Sequence, residues 1–416
     1  MATPSQEAEP IRIAIVGTGN IASVHAKALL AARPGLAPGP GPAGPGPGPA
    51  GPGPSRPSGP GSARPRPGSA RPADPAAGES SVPAAVIVAA MDIDESRLSA
   101  FCEETGIPGA YHDLHDLLSQ ARPDLVHVCT PPNTHYQTAL GCLSAGVSVL
   151  AEKPPTISLR EFDGLVAAEG RDGPPWFATV FQHRFGSGQR RLKSLVADGV
   201  LGRPLLAICH TTWFRDQAYF DVPWRGRWDT EGGGPTMGHG IHQMDMLLDV
   251  LGDWIEVSAI ARRQSRQMAT EDLSMAHVTF AGGAVASVVN SVLSSREESY
   301  LRFDFERATV EVTHLYGYGD DDWRITPAPG CDEEVLAAWK HAEYGTDSGH
   351  AAQFSHVLTA LRAGLRPPVA PSGARQTMAL VAGIYASAFT RRPVTPDDLV
   401  PGTPFYSRMN GSDHAW

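Results

Sequence analysis

The stretch that most narrows the fold is Ile11–Ala22, IRIAIVGTGNIA, an apolar run that ends in G-x-G-x-x-A. Ile11–Gly17 reads as a short strand buried on both faces, and Asn20–Ala32 continues with helical spacing and few breakers. Gly17 permits a tight turn, Gly19 lets the backbone approach a bound group, and Ala22 lets helix and strand pack closely. The helix start, with Thr18, Asn20 and Ile21, offers aligned N–H groups and partial positive charge suited to a pyrophosphate. Such a fingerprint is informative only where strand–helix units follow it.

They do follow. Ala84–Asp92, Asp124–Thr130 and Val147–Ala151 are further apolar runs, separated by helical stretches at Glu95–Thr105 and Thr134–Ala145. This predicts an α/β chain whose first domain, residues 1–155, is a Rossmann doubly wound parallel sheet that binds a dinucleotide. Asp92 ends the second run, where a carboxylate bonds the adenosine ribose, usually about 20 residues past the glycines. The observed interval is far longer. However, Pro34–Pro75 is almost entirely Pro, Gly, Ala, Ser and Arg and cannot bury a core. Treating 34–83 as a disordered insertion approximately restores the interval. Asp92 and Asp94 would repel a 2′-phosphate, which favours NAD over NADP.

The second half has a different texture. Trp176–Phe181, Leu205–Trp213, Trp254–Ala261, Ser274–Phe280, Ala284–Val292 and Tyr300–Thr313 read as strands, with Gly282-Gly283 as a hairpin signal. Helices are expected over Gln189–Asp198, Gly238–Leu251, His350–Ala363 and Gly373–Ser387. Residues 156–390 are therefore expected to form an α+β domain with one large, mostly antiparallel sheet that binds substrate. A pattern-poor tail over 391–416 follows. A chain of 416 residues suits two such domains.

The net charge of −10 argues against nucleic acid or an anionic membrane as partner, since both demand concentrated Lys and Arg. No apolar run reaches the roughly 18 residues of a membrane span. Five cysteines without a repeated spacing exclude a dense disulfide framework and fit reduced thiols in a cytoplasm. The opening MATPSQEAEP has no secretory pattern.

Three more motifs complete a pattern with the glycine fingerprint. They are Cys129-Thr130-Pro131-Pro132-Asn133-Thr134-His135, then Ala151-Glu152-Lys153-Pro154, then Gly232-Gly233-Gly234 running to Gly240-Ile241-His242-Gln243-Met244-Asp245. In this order they resemble the Gfo/Idh/MocA family of sugar oxidoreductases over nearly the whole chain outside the insertion. The resemblance implies that Thr130, Pro131 and Asn133 line the cofactor, that His135 lies near the nicotinamide ribose, and that Glu152 and Lys153 face the nicotinamide. It implies that His242 takes the substrate hydroxyl proton and that Lys153 polarises or deprotonates that hydroxyl. His183 and Arg184 match a position near the substrate mouth. One departure is visible: many family members carry Asp four residues before this His, where this chain has Gly238. His239, next door, is a weak substitute.

Beside the resemblance, the residues themselves suggest further contacts. The triple glycine would permit close approach of a ligand, and Trp224-Arg225-Gly226-Arg227-Trp228-Asp229 offers aromatic faces and an Arg to a sugar. Asp245 suits backbone or a substrate hydroxyl, and His239, His242 and Asp245 are too spread around a helix to hold a metal. The expected function is an NAD-dependent oxidoreductase interconverting a secondary alcohol and a ketone on a sugar, inositol or polyol, in a homo-oligomer. A glycosidase using bound NAD and a non-catalytic NAD-binding sensor are the alternatives.

Overall fold

A computed structural model of the chain describes residues 9–31 and 84–411, so the insertion expected at 34–83 lies outside the described residues. Six short runs build one parallel sheet: β1 (Ile11–Val16), β2 (Ala85–Met91), β3 (Gly109–Tyr111), β4 (Leu125–Val128), β5 (Ser148–Ala151) and β6 (Phe177–Thr179). Their order across the sheet is β3-β2-β1-β4-β5-β6, so strands are added to one side of β1 and then, from β4 on, to the other. The unbroken apolar runs follow from burial on both faces. Ile13 and Ile15 point to one side, against Ala22, Ala26 and Leu29 of the Asn20–Ala31 helix. Ala14 and Val16 point to the other, with Val126, Val128, Ala139 and Phe162. Truncating a fully buried residue such as Ile13 to Ala costs about 2–5 kcal/mol.

Helix ends follow local chemistry. The Glu95–Thr105 helix starts where the Asp94 side chain accepts the Arg97 N–H at 3.0 Å, and stops at Gly106 with φ +69°. The strand expected at Trp176–Phe181 among those of the second half is instead β6, the edge of the parallel sheet. The chain also crosses back late: Phe354, Val357 and Leu358 of the His350–Arg362 helix pack into the core beside Ile13 and Ile15.

Seven strands form the second sheet: β7 (Pro204–Phe214), β8 (Trp254–Arg262), β9 (Leu273–Phe280), β10 (Val285–Ser291), β11 (Leu293–Phe305), β12 (Ala308–His314) and β13 (Trp323–Pro327). Neighbours in the order β13-β12-β11-β7-β10-β9-β8 are antiparallel except β7 and β10. The Gly282-Gly283 hairpin joins β9 to β10, with Gly283 at φ +86°. The single strand expected over Tyr300–Thr313 is two, β11 and β12, because the chain turns at Glu306 and Arg307 without a Gly or Pro to signal it.

The inner face of this sheet is apolar where it meets the helices and polar at one row. Ala261, Ser274, Asn290, Thr211, Ser299 and His314 sit side by side across six strands, all buried. That row lies under the site. It also breaks the helix expected over Gly238–Leu251 into Pro235–Gly238 and Ile241–Leu251, because a Cβ on Gly240 would overlap Asn290. Helices at Leu159–Ala167 and Asp332–His341, along with β3 and β13, were not expected. The tail is packed as far as it is described: Val394 exchanges two backbone bonds of 2.9 Å with Val257, and Leu399, Phe405 and Met409 are buried.

Candidate active site

The turn after β1 lies at the sheet's reversal point, where ligands bind in sheets of this kind. Gly17 has φ +87°, and a Cβ there would come within 2.8 Å of the backbone of Cys129 and Thr130 at the end of β4. Only glycine fits. A Cβ on Gly19 would meet nothing within 4 Å, so the cradle in front of the Asn20–Ala31 helix is open. Asn20 is exposed and Ile21 half-buried at its rim. These features fit a dinucleotide pyrophosphate held by Gly17, Thr18, Gly19, Asn20 and Ile21.

Asp92 does more than wait for a ribose. Its Oδ2 accepts the Thr18 N–H at 2.8 Å and the Thr18 hydroxyl at 2.9 Å, and its Oδ1 accepts the Asp94 N–H at 3.0 Å. Burial works against the charge, but those donors hold the carboxyl below its ordinary pKa. The Arg97 guanidinium is committed to Asp94 at 2.9 Å. Thr130 and Pro131 follow β4, and the Asn133 N–H donates to the Thr230 carbonyl at 3.1 Å, tying the two halves across the cleft. His135 is buried, with Nδ1 2.9 Å from the Pro154 carbonyl and Nε2 2.7 Å from that of Thr130. It braces the loops after β4 and β5, where both ring nitrogens face backbone carbonyls.

Glu152 and Lys153 follow β5 and diverge. Glu152 turns inward, where its Oε1 meets His25 Nε2 at 2.9 Å and His350 Nε2 at 3.2 Å. His25 Nδ1 is in turn 2.9 Å from His127 Nδ1. The potential ligand atoms of His25, Glu152 and His350 lie within 4.8 Å of one another, and here they serve these hydrogen bonds. Glu152 therefore anchors a histidine cluster, while its other oxygen, Oε2, accepts the Lys153 N–H at 3.0 Å. Lys153, after a cis bond to Pro154 on its far side, reaches the cleft and donates from Nζ to the Gly238 carbonyl at 2.9 Å. Burial lowers its pKa, opposed by Glu152 and Glu231 and aided by Arg225.

His242 opens the Ile241–Leu251 helix, almost fully buried, with no partner for Nδ1. Burial, then the charges of Lys153 and His183, press its pKa well below the histidine norm, so it is neutral near pH 7. His183 stands edge-on to it at 5.0 Å, and His183 Nδ1 is 3.3 Å from the Ser348 hydroxyl. His239 Nε2 is 3.3 Å from the Tyr219 hydroxyl, and its Nδ1 is likewise buried without a partner. Arg225 donates to the same hydroxyl and lies over the rings of Tyr219 and Trp224.

At two places the residues expected to meet substrate have protein partners. Arg184 and Asp245 are each other's partners, Nε to Oδ2 at 2.6 Å and Nη2 to Oδ1 at 2.5 Å, with Asp249 and Thr377 completing the set. They form a largely buried ion pair. The three glycines admit protein, not ligand. A Cβ on Gly232 would press on Ile157, one on Gly233 would overlap Tyr385, and one on Gly234 would overlap Glu271. Trp228 is likewise packed, against Tyr385 and Phe389. Two carboxylates were missed. Glu271 accepts the Gly234 and Thr236 N–H groups at 3.1 and 3.0 Å and so shapes the glycine loop. Glu231 stands beside Gly238; its place directly before the triple glycine was the only signal in the sequence.

Comparison with known proteins agrees with this arrangement. Residues 68–176 match an oxidoreductase family described by an NAD-binding Rossmann fold, and residues 189–314 match the GFO/IDH/MocA C-terminal domain. The chain is 28% identical over 255 residues to D-glucoside 3-dehydrogenase of Escherichia coli, covering 55% of this chain and 71% of that one. It is 26% identical over 341 residues to D-apiose dehydrogenase of Paraburkholderia graminis, covering 78% and 86%. Among solved structures, the WlbA dehydrogenase of Bordetella pertussis, in complex with NADH and UDP-GlcNAcA, shares the fold. Its TM-score is 0.69 at 21% identity, over 93% of this chain and 99% of that one.

Proposed function

The chain belongs to the Gfo/Idh/MocA family of NAD-binding oxidoreductases, and from that premise we propose that it interconverts a secondary alcohol and a ketone on a sugar, inositol or related polyol. One observation carries the reading. Lys153, from the end of the parallel sheet, donates to the Gly238 carbonyl at 2.9 Å, and Gly238 closes the turn that leads into the Ile241–Leu251 helix, which His242 opens. Bound NAD supplies the hydride acceptor for the carbinol carbon. Lys153 Nζ holds the substrate oxygen by donating to it, and the neutral His242 ring takes the hydroxyl proton. The names of the D-glucoside and D-apiose dehydrogenases support a sugar-like substrate.

Self-association belongs to the same reading. The outer face of the second sheet exposes Leu206, Ile255, Ile260, Met275 and Val285, an apolar surface suited to a second copy of the chain. All five cysteines are unpaired, which supports a reducing, cytoplasmic compartment. Nothing observed favours the glycosidase.

The test is a panel of sugars, inositols and polyols offered with NAD or NADP and followed by cofactor absorbance. Turnover with at least one, abolished in His242→Ala, is expected. Cofactor binding without turnover on the whole panel would remove the reading.

A further inference from the structure

By the family resemblance many members carry an Asp where this chain has Gly238, yet the pocket does not lack a carboxylate. Gly238 closes the Pro235–Gly238 turn and is not among the glycines with positive φ, so an ordinary side chain is sterically admissible. A Cβ built on it would sit 3.3 Å from Glu231 Oε1, and Glu231 alone of the described residues outside its immediate neighbours comes within 4 Å of that point. Glu231 is 5% exposed. Its Oε2 accepts the Gly226 N–H at 2.6 Å, and its Oε1 lies 3.5 Å from Arg225. The Lys153 ammonium bonds the carbonyl of that same Gly238.

We propose that Glu231 is the positioning carboxylate of this pocket: it occupies the space left by Gly238 and, as a counter-charge, keeps Lys153 protonated while His242 stays neutral. The proposal rests on the oxidoreductase reading for its meaning, but its electrostatics do not. Lys153 is faced by Glu152, Glu231 and Arg225, and its own charge acts on His135, His183, His239 and His242. Of its two carboxylates, Glu152 is already shared between His25 and His350. Glu231 is shared only with Arg225 and the Gly226 amide, and its neutralisation would leave the Arg225 charge acting on Lys153 unopposed. Both changes push the lysine toward losing its proton. The same arrangement removes the missing carboxylate as a reason to see a sensor in this chain.

The experiment measures the titration of Lys153 by competitive acetic anhydride labelling with mass spectrometry, on the full chain, alongside the pH profile of turnover. In Glu231→Gln the Lys153 titration and the alkaline limb of turnover should both move to lower pH, with NADH affinity retained. Glu231→Asp should give a smaller shift. The double variant Glu231→Gln/Gly238→Asp, which restores a carboxylate to the family's position, should return both to the starting pH. If Glu231→Gln folds poorly, the Asp variant and the double variant still read the charge. An unmoved Lys153 titration in these variants overturns the proposal. Absence of turnover in the unaltered chain would instead sink the oxidoreductase reading and leave the labelling result standing.

Discussion

Lys153 and His242 divide the proton work: burial disfavours the charge on both, Glu152 and Glu231 resist it at the lysine, and at His242 the nearby Lys153 and His183 add to it against Glu152 alone. His242→Ala should lower turnover by roughly 10²–10⁴ while NADH binding, read by fluorescence, persists. Alcohol oxidation should lose activity on the acid side, with a limb below the ordinary histidine value of about 6.5. Lys153→Arg should not rescue what Lys153→Ala loses, since a larger guanidinium cannot take the place of a compact ammonium against the Gly238 carbonyl. At the other end of the cofactor site, NAD should be preferred over NADP by at least tenfold, about 1.4 kcal/mol, if Asp92 takes the ribose, since Asp92 and Asp94 would repel a 2′-phosphate and Arg97 is neutralised by Asp94. Asp92→Ala should narrow that ratio and weaken both cofactors, as it also releases Thr18. Equal affinities in the unaltered chain would refute the assignment.

The Ile241–Leu251 helix carries His242 at its start, so its seating decides where the imidazole stands. One turn further on, Asp245 grips Arg184, which also reaches Asp249, while Thr377 bonds Asp245 from the Pro371–Thr390 helix. Breaking such a buried pair from one side strands the other charge. Asp245→Asn should cost about 3–5 kcal/mol, measurable by urea unfolding. Arg184→Met combined with Asp245→Leu should recover much of it, since no lone charge remains. A fall in activity without loss of stability in Asp245→Asn would return Asp245 to the substrate site. The sequence announced this helix by its apolar spacing but not its break at His239 and Gly240, which depends on Asn290 of β10.

Across the molecule, an unusual number of histidines are buried neutral. His25, His127, His183, His239 and His242 all have pKa values lowered mainly by burial, and His314 is lowered to about 4. In the unfolded chain each would protonate near pH 6.5. Below that value the unfolded state binds protons that the folded state refuses. Each such group then costs about 1.4 kcal/mol per pH unit until its folded pKa is reached. The thermal midpoint should therefore change little above pH 7 and fall steeply between pH 6.5 and about 4. Calorimetry showing no fall down to pH 5 would contradict the buried neutral state. Deleting Leu36–Ala73, which has no apolar periodicity, should leave midpoint and NADH affinity nearly unchanged.

The sequence alone determined the parallel sheet, the glycine turn, Asp92 at a strand end and the entry of Lys153 and His242 into one site. The strands and the turn depend on residues a few positions apart, over which backbone geometry is set locally by sterics and burial period, whereas the pairing of Lys153 with His242 was implied by the order of the family motifs. Folding decided what each polar group does, because that depends on its partner. His350 meets Glu152 across 198 positions and Arg184 meets Asp245 across 61, intervals over which no spacing rule operates. The glycines near His242 were legible as glycines, but only packing against Ile157, Tyr385 and Glu271 shows that they make room for protein. Glu231 is the sharpest case. It lies close in sequence to the position that lacks a carboxylate, and only the fold of the loop between them brings it into that space.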